Sequence, residues 1–588
     1  MGRPVPVWFG PEESPLFGVL HVPDGPTRGT IVLCPPLGLE YANSYSTFIQ
    51  LATRSTQLGF AALRFDYRST GDSFDRAADG SDERGFATDV GLAVDFARTT
   101  GTAHVGIVGM RLGANLICVQ CGLEPVEAVV LWDPCPTGRS FLREQRALGA
   151  FAGAYGAEEK ADALDLPRFE LSPEMWEEIS GLDLVAGQPG SAEAGRLADK
   201  VLLLTRPERT ADCKLAGRFD PTRTEHREVA GQAELLDVRS PEQTVPAEGL
   251  ATVAQWLDKV MPTSGHRIAT PTSREVVVRI STNGPGSEVT PGGGTTLVRE
   301  RAVRLGPAGL FGIETERASG GSGPACILVS VANDHRIGPG RIWVQLGRRL
   351  AADGFRCVRI DVSGFGDSPA RDGWPANGVY SIFGVDDVLD TARAMSPDNP
   401  RDVLLFGLCS SGYHILEAAL TLCPRGICLV NPWLVFQPPE MASGGPMDGR
   451  RRFCLPPNAL VTAARTQPSV QWLRRRFPTL MSSLYRPIRK AAWRLRSVAG
   501  PRQSRPGERL EDLVENGTEV LLICGPQEIS PFSETGLKPA RRDRPEERLR
   551  IEVIPNLDHG LYPSRDRERV TELIVDFVLT RFRRPPER

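Results

Sequence analysis

The most constraining feature of this chain is that it states one pattern twice. Leu63-Arg64-Phe65-Asp66-Tyr67-Arg68-Ser69-Thr70-Gly71-Asp72-Ser73 returns as Val358-Arg359-Ile360-Asp361-Val362-Ser363-Gly364-Phe365-Gly366-Asp367-Ser368, a shift of 295. Upstream, Leu16-Phe17-Gly18 returns as Leu310-Phe311-Gly312 at a shift of 294. Downstream, Val108-Gly109-Met110-Arg111-Leu112-Gly113 meets Phe406-Gly407-Leu408-Cys409-Ser410-Ser411, and Leu131-Trp132-Asp133-Pro134 meets Leu429-Val430-Asn431-Pro432, both at 298. Four landmarks in one order at a nearly constant shift mean two homologous units in tandem. A chain of 588 residues also exceeds what one core holds. The expected division is 1–262 and 273–588, joined by a polar linker at 263–272.

Within each unit, short apolar runs alternate with helical stretches. Strands are expected at Thr30–Cys34, Ala61–Phe65, Val105–Val108, Ala128–Leu131 and Val201–Leu204, with helices at Tyr45–Leu58 and Phe86–Arg98. The second unit repeats them at Ile327–Val331, Arg356–Ile360, Val403–Phe406, Ile427–Val430, Val520–Ile523 and Arg550–Ile554, and ends on a helix at Arg569–Phe582. Such alternation predicts an α/β fold: a mostly parallel sheet covered on both faces. Arg274–Ile280 reads as an additional strand, and the Gly/Pro-rich run Asn283–Gly294 as a mobile loop. Insertions at about 138–197 and 435–511 interrupt the pattern and read as lids. The second is basic: from Gly449 to Arg509 there are 15 Arg or Lys and one acid, Glu508, with Trp472, Phe477, Tyr485 and Trp493 interleaved.

Charge and composition exclude several classes. A net charge of −3 offers no global field for nucleic acid. No apolar run reaches the ~18 residues of a membrane span, and the N-terminus lacks the apolar core of a signal peptide and the Ser or Thr of a myristoylation motif. The 12 cysteines are scattered, many within apolar elements, as reduced thiols of a cytoplasmic protein would be. Cys118-x-x-Cys121 reads as helix packing. With 7 dispersed histidines, no metal or cofactor is called for.

The chemistry sits in Gly407-Leu408-Cys409-Ser410-Ser411-Gly412, between an apolar strand and a helical run. Small residues around a central nucleophile at a strand–turn–helix junction form a nucleophile elbow. Counting from Gly407 puts Cys409 at the tip and leaves the Ser410 N–H for an oxyanion hole. The alternative register makes Ser410 the nucleophile. A thiol needs a base and an orienter: His559 follows the last strand, and Glu528 lies in the loop after Val520–Ile523, with Asp558 a competing acid. The second oxyanion donor is expected near Ala332-Asn333. In the first unit the tip is Arg111, which cannot be a nucleophile. Glu234 falls where His559 would stand, and Glu208 and Asp133 are the candidate acids. Arg111 either binds an anion or pairs internally with one of them.

Both halves resemble the α/β-hydrolase superfamily, whose chain order of nucleophile, acid and base is that of Cys409, Glu528 and His559. Pro35-Pro36-Leu37-Gly38, Arg64-Phe65-Asp66-Tyr67-Arg68, Gly71-Asp72-Ser73 and Gly109-Met110-Arg111-Leu112-Gly113 resemble serine-aminopeptidase-type hydrolases found with exosortase A and exopolysaccharide systems, a branch that also places Arg at the elbow. The second half resembles their companion type with a Gly-Leu-Cys-Ser elbow, and its Gly-x-Cys turn is similar to dienelactone hydrolase. Ser411 departs from the Gly usual there. The resemblance implies two tandem α/β-hydrolase domains, the first catalytically inactive. The second would be an esterase, thioesterase or acyltransferase acting on a small-molecule ester or thioester, carried by a protein or by coenzyme A. The basic lid suits an anionic partner. The competing reading is a non-catalytic scaffold or ligand-binding protein, since this fold hosts both.

Overall fold

Short β-branched and leucine-rich runs, buried on both faces, can satisfy their backbone only by pairing with one another beneath covering helices. The chain does this twice. The computed structural model describes residues 2–75, 85–120, 124–152, 165–186, 198–209, 215–238, 243–271 except 264 and 266, 274–281, 295–331, 334–371, 383–432, 506–526, 528–529, 532 and 548–583.

In the first domain the strands are β1 (Arg3–Phe9), β2 (Leu16–Val22), β3 (Thr30–Cys34), β4 (Ala61–Phe65), β5 (Val105–Met110), β6 (Val126–Trp132), a small hairpin β7 (Asp165–Leu166) and β8 (Phe169–Glu170), then β9 (Ala198–Thr205) and β10 (Thr224–Glu228). The main sheet runs β1-β2-β4-β3-β5-β6-β9-β10. It is parallel from β4 onward, with β1 and β2 added antiparallel at one edge. The second domain has β11 (Glu275–Ser281), β12 (Thr295–Leu305), β13 (Leu310–Arg317), β14 (Ala325–Val329), β15 (Cys357–Ile360), β16 (Val403–Leu408), β17 (Gly426–Val430), β18 (Glu519–Cys524) and β19 (Leu549–Val553). Its order is β11-β12-β13-β15-β14-β16-β17-β18-β19. Removing β11, the additional strand expected from the sequence, leaves a strand-for-strand copy of the first sheet. The copy holds at single residues: Gly18 pairs with Phe65 and Gly312 with Ile360. A Cβ on either glycine would lie 2.9 Å from the carbonyl oxygen of Arg64 or Arg359, so both must be Gly.

Helices at Leu39–Gln57, Phe86–Thr99, Leu112–Val119 and Ala247–Val260 cover the first sheet, and those at Ile342–Ala352, Gly384–Met395, Ser410–Leu422, Pro506–Glu515 and Ser564–Phe582 the second. The helix expected at Tyr45–Leu58 begins earlier, at Leu39. Among the described residues, the first insertion holds helices at Gly138–Ala152 and Pro173–Gly181 and the β7–β8 hairpin. The loop Asn283–Gly294 and residues 433–505 of the basic lid lie outside the described residues. Among the described residues, no helix is long and apolar enough to cross a membrane.

The two domains meet through the repeated motif. Arg64 pairs with Asp367, and Arg359 pairs with Asp72 at 2.5 Å. These are the same two positions of the repeat, exchanged, as in an isologous two-fold contact. Phe17, Val19, Ala302, Phe311 and Ile313 form the apolar cluster beside them. Arg336 lies at the centre, its guanidinium 5.3 Å from the Phe17 ring centroid and 4.5 Å from that of Phe311. It pairs with Asp72 at 2.7 Å, Asp361 at 2.9 Å and Asp367 at 3.0 Å. Tyr45 donates to Asp367 at 2.7 Å, and Tyr41 donates to Asp66 at 2.7 Å.

This cluster sets a pH dependence. Burial raises Asp66 and Asp361 to about 6 each, with Asp72 adding its charge in the first case. Burial also pushes Asp72 and Asp367 upward, but the neighbouring guanidiniums outweigh it and hold both below the ordinary carboxylate value. The raised pair binds protons more tightly in the folded state, so it favours the fold at low pH and that contribution is lost as pH rises through about 6. The depressed pair contributes above the unfolded value of about 3.9 and is lost as pH falls below it. In the same cluster, burial and the Arg64 and Arg336 charges hold His21 and His335 down to about 3, so that pair adds stability as pH rises toward the ordinary histidine value. Between about pH 4 and 6 the two pairs oppose each other, so the urea midpoint is expected to stay nearly level, and Asp66→Asn with Asp361→Asn should leave it rising with pH. A double variant whose midpoint stays level through that window would contradict this.

Candidate active site

β16 ends in Gly407-Leu408 and the chain turns within one residue into the helix Ser410–Leu422. The residue at the turn is Cys409, at φ 50° and ψ −113°. A non-glycine residue reaches such a conformation only where its surroundings hold it there. The crowding explains the small flanks: a Cβ on Gly407 would meet the Ser411 carbonyl at 2.9 Å, and one on Gly412 would meet Pro432 at 2.7 Å. Ser411 fits because its hydroxyl folds back on the strand end, accepting from the Leu408 N–H at 3.0 Å and donating to the Leu408 carbonyl at 2.9 Å.

Cys409 Sγ lies 3.2 Å from His559 Nε2, and His559 Nδ1 lies 3.4 Å from Glu528 Oε1. Burial resists charging of the imidazole, but the adjacent sulfur, with its charge and hydrogen bond, and the Glu528 carboxylate together lift His559 to about 10. Ser410 is the first residue of the helix and is buried; the side chain opposite the imidazole is that of Cys409. Asp558 builds the histidine turn instead, accepting from the N–H groups of Gly560 at 3.0 Å and Tyr562 at 2.9 Å. Asn333 lies outside the described residues.

One residue escaped the sequence reading. Asn431 appeared there only as part of a repeated landmark. Its side chain donates to the carbonyls of Asp558 at 3.1 Å and His559 at 3.3 Å, and accepts from the Gly525 N–H at 2.9 Å. It ties the histidine loop to the start of the acid loop. Its signal was the amide itself at a strand end, beside the elbow strand.

The first domain makes the same turn with an arginine at its tip. Arg111 stands at φ 53° and ψ −123°, nearly the geometry of Cys409, and is fully buried. It contacts Glu40 at 3.1 Å, Asp133 at 3.5 Å and Glu144. Asp133 also pairs with Arg206 at 2.6 Å, and Arg206 with Asp237 at 2.5 Å. Of the acids expected near Arg111, Asp133 is there. Glu208 and Glu234 are exposed and are not among its partners, which include instead Glu40 and Glu144. Glu234 does stand six residues beyond β10, as His559 stands six beyond β19. The space beside Arg111 is filled by ion pairs rather than left open to an anion. Arg111→Met should cost about 3–5 kcal/mol, because it leaves buried carboxylates uncompensated. Chemical denaturation checks this, and a loss below about 1 kcal/mol would mean those acids are neutral.

Among the described residues, no group of three or more His, Cys, Asp or Glu could hold a metal ion. Cys118 is buried in the core, and its partner Cys121 lies outside the described residues.

Residues 332–573 match the model of the Alpha/beta hydrolase family, so the second half carries a domain of that family. Solved structures similar to the chain include the esterase Pf2001 of Pyrococcus furiosus, 15% identical over 44% of this chain and 91% of its own, with a TM-score of 0.30. A soluble variant of monoglyceride lipase from Saccharomyces cerevisiae is 12% identical, covering 45% of this chain and 97% of its own, with a TM-score of 0.34. Est1E from Butyrivibrio proteoclasticus is 12% identical over 44% of this chain and 98% of its own, with a TM-score of 0.31. No curated protein matches the chain.

Proposed function

We propose that the second domain is a cysteine-dependent hydrolase or acyltransferase acting on an ester or thioester, and that the first domain is a pseudoenzyme. The observation that carries this is the 3.2 Å approach of Cys409 Sγ to His559 Nε2, with Glu528 at 3.4 Å behind the imidazole. That is the arrangement of nucleophile, base and orienter. Glu528 keeps the His559 proton on Nδ1, so Nε2 can take the thiol proton. The sulfur then attacks the carbonyl carbon, and the oxyanion is held by the Ser410 N–H and by the loop around Asn333. The C–O or C–S bond breaks, and His559 gives its proton to the leaving alkoxide or thiolate. Water, or an acceptor hydroxyl or amine, loses a proton to His559 and releases the acyl group, restoring the thiol. An imidazole that holds its proton to about pH 10 suits the donor half of this cycle. Amides are poorer substrates, since their leaving group needs better-placed protonation.

The likeness of the first half to exosortase-associated hydrolases belongs to the same reading, as do a carrier-protein or coenzyme A thioester as substrate and an anionic partner at the basic lid. Turnover of a p-nitrophenyl ester and acyl-thioester panel tests it, together with mass mapping of iodoacetamide adducts. The expected result is turnover and an adduct on Cys409, both absent in a folded Cys409→Ala variant. Turnover that survives Cys409→Ala would refute it.

A further inference from the structure

The β7–β8 hairpin belongs to the first domain's insertion and packs Leu166 and Phe169 into that domain's core, yet its turn reaches the second domain. Its two-residue turn is Pro167-Arg168, and Arg168 has φ 63°. The second central residue of a tight turn at positive φ is ordinarily Gly or Asn, so a long cationic side chain held there marks a constrained position. The Arg168 guanidinium pairs with Asp334 at 2.6 Å and lies 4.8 Å from the Tyr562 ring centroid, while the backbone N–H of Arg168 donates to the Tyr562 carbonyl at 3.4 Å. From the foot of the hairpin, Asp165 accepts the Ser564 N–H at 2.9 Å.

Both targets flank the candidate catalytic pair. Asp334 lies in the loop after β14, bridged to Val331 by two backbone hydrogen bonds of 2.7 and 3.0 Å. Tyr562 and Ser564 follow His559 directly. The histidine loop is strained: Asn556 sits at φ 59° and Leu561 at φ 52°, and a leucine at positive φ is an outlier. Such a loop persists only when its surroundings fix it. Asn431 fixes it from within the second domain, and Arg567 holds the Leu561 carbonyl at 3.1 Å. A further restraint comes across the domain boundary.

We propose that the first domain completes the active site of the second: the hairpin clamps the loops on either side of Cys409 and His559, with Arg168 as the positioning residue. The inference rests on the Cys409–His559 reading. It gives the pseudoenzyme half a task in catalysis without any chemistry of its own.

The test uses the full-length chain and the rate of Cys409 alkylation by iodoacetamide, which needs no knowledge of the substrate, with His559→Ala as the floor. Arg168→Ala should slow alkylation by about 10- to 100-fold, the effect of an ångström-scale misplacement of a reacting pair. It should also move the alkaline limb of ester turnover, the step that uses the imidazolium, from about 10 toward the ordinary histidine value. Arg168→Lys, which keeps the charge facing Asp334, should fall between the two. A merely structural lesion would lower the melting temperature without moving that limb. If Arg168→Ala does not fold, Asp165→Asn removes charge from the same clamp and should show the same shift at smaller size. An alkylation rate within about twofold of the parent and an unmoved limb overturn the clamp while leaving the catalytic pair intact. A parent rate no faster than that of His559→Ala overturns the catalytic reading and the clamp with it.

Discussion

Replacing His559 by alanine is expected to reduce turnover by about 10³-fold or more with the fold retained, because the nucleophile and its base act as a unit. The size of the effect follows from geometry. In the proposed cycle one imidazole accepts the proton of the nucleophile and later protonates the leaving group, and His559 stands 3.2 Å from Cys409 Sγ. Glu528→Gln should cost less, about 10- to 100-fold, since the carboxylate only orients and charges the ring. The pH dependence should follow. With His559 lifted to about 10, the rate of the step that uses the imidazolium should hold through neutral pH and fall as pH rises through that value. In Glu528→Gln the fall should begin earlier, because one of the groups supporting the charge is gone. Steady-state rates on the most reactive ester of the panel, measured across pH, decide it. A His559→Ala enzyme within about tenfold of the parent would rule out the imidazole as base.

The second large effect concerns the domain interface. Arg336→Met should destabilise the chain by about 3–5 kcal/mol, the cost of removing one partner from a buried ionic cluster. The guanidinium is fully buried between two phenyl rings and faces three carboxylates. Without it, Asp361 keeps only hydrogen bonds to its charge, while Asp72 and Asp367 keep Arg359 and Arg64. Arg64→Met and Arg359→Met each break one arm of the reciprocal pair and should also lose stability, Arg359→Met the more, since Arg359 pairs with buried Glu300 at 3.0 Å as well. Denaturant midpoints for the three variants test this. Losses below about 1 kcal/mol in all three would mean that the two domains do not depend on this contact.

Much of the architecture was legible before any coordinates. Thr30–Cys34 and Ala61–Phe65 were read as strands with the bounds the structure gives them. These are short apolar runs buried on both faces, and such runs carry their own signal. The elbow was legible because its small residues answer a local crowding that Gly109 and Gly407 share. The helix start at Leu39 was missed. Its first turns hold Asn43 and Ser44, poor helix formers that are buried here against other parts of the fold. Asn43 donates to the Val238 carbonyl at 3.2 Å, across 195 positions of sequence, and nothing local announces that bond.

The candidate site divides in the same way. Cys409, Glu528 and His559 could be named because each follows a strand end, in an order that a doubly wound sheet brings to one edge. The partners of Arg111 could not be ranked: Glu40, Glu144, Glu208 and Glu234 are one residue type, and only packing separates the first two from the others. The repeat motif was recognised as a repeat but not as an interface.

What the sequence determined by itself, then, was the duplication, the two sheets and which copy carries a thiol at its turn, because periodicity, turn chemistry and residue type act over a few neighbours. Only the tertiary structure decided that Arg64 meets Asp367, that Arg359 meets Asp72, and that a hairpin of one half rests on the histidine loop of the other. These are pairings of charges hundreds of residues apart. Their energies depend on distance and burial, which are fixed when the two sheets dock and leave no trace in local composition.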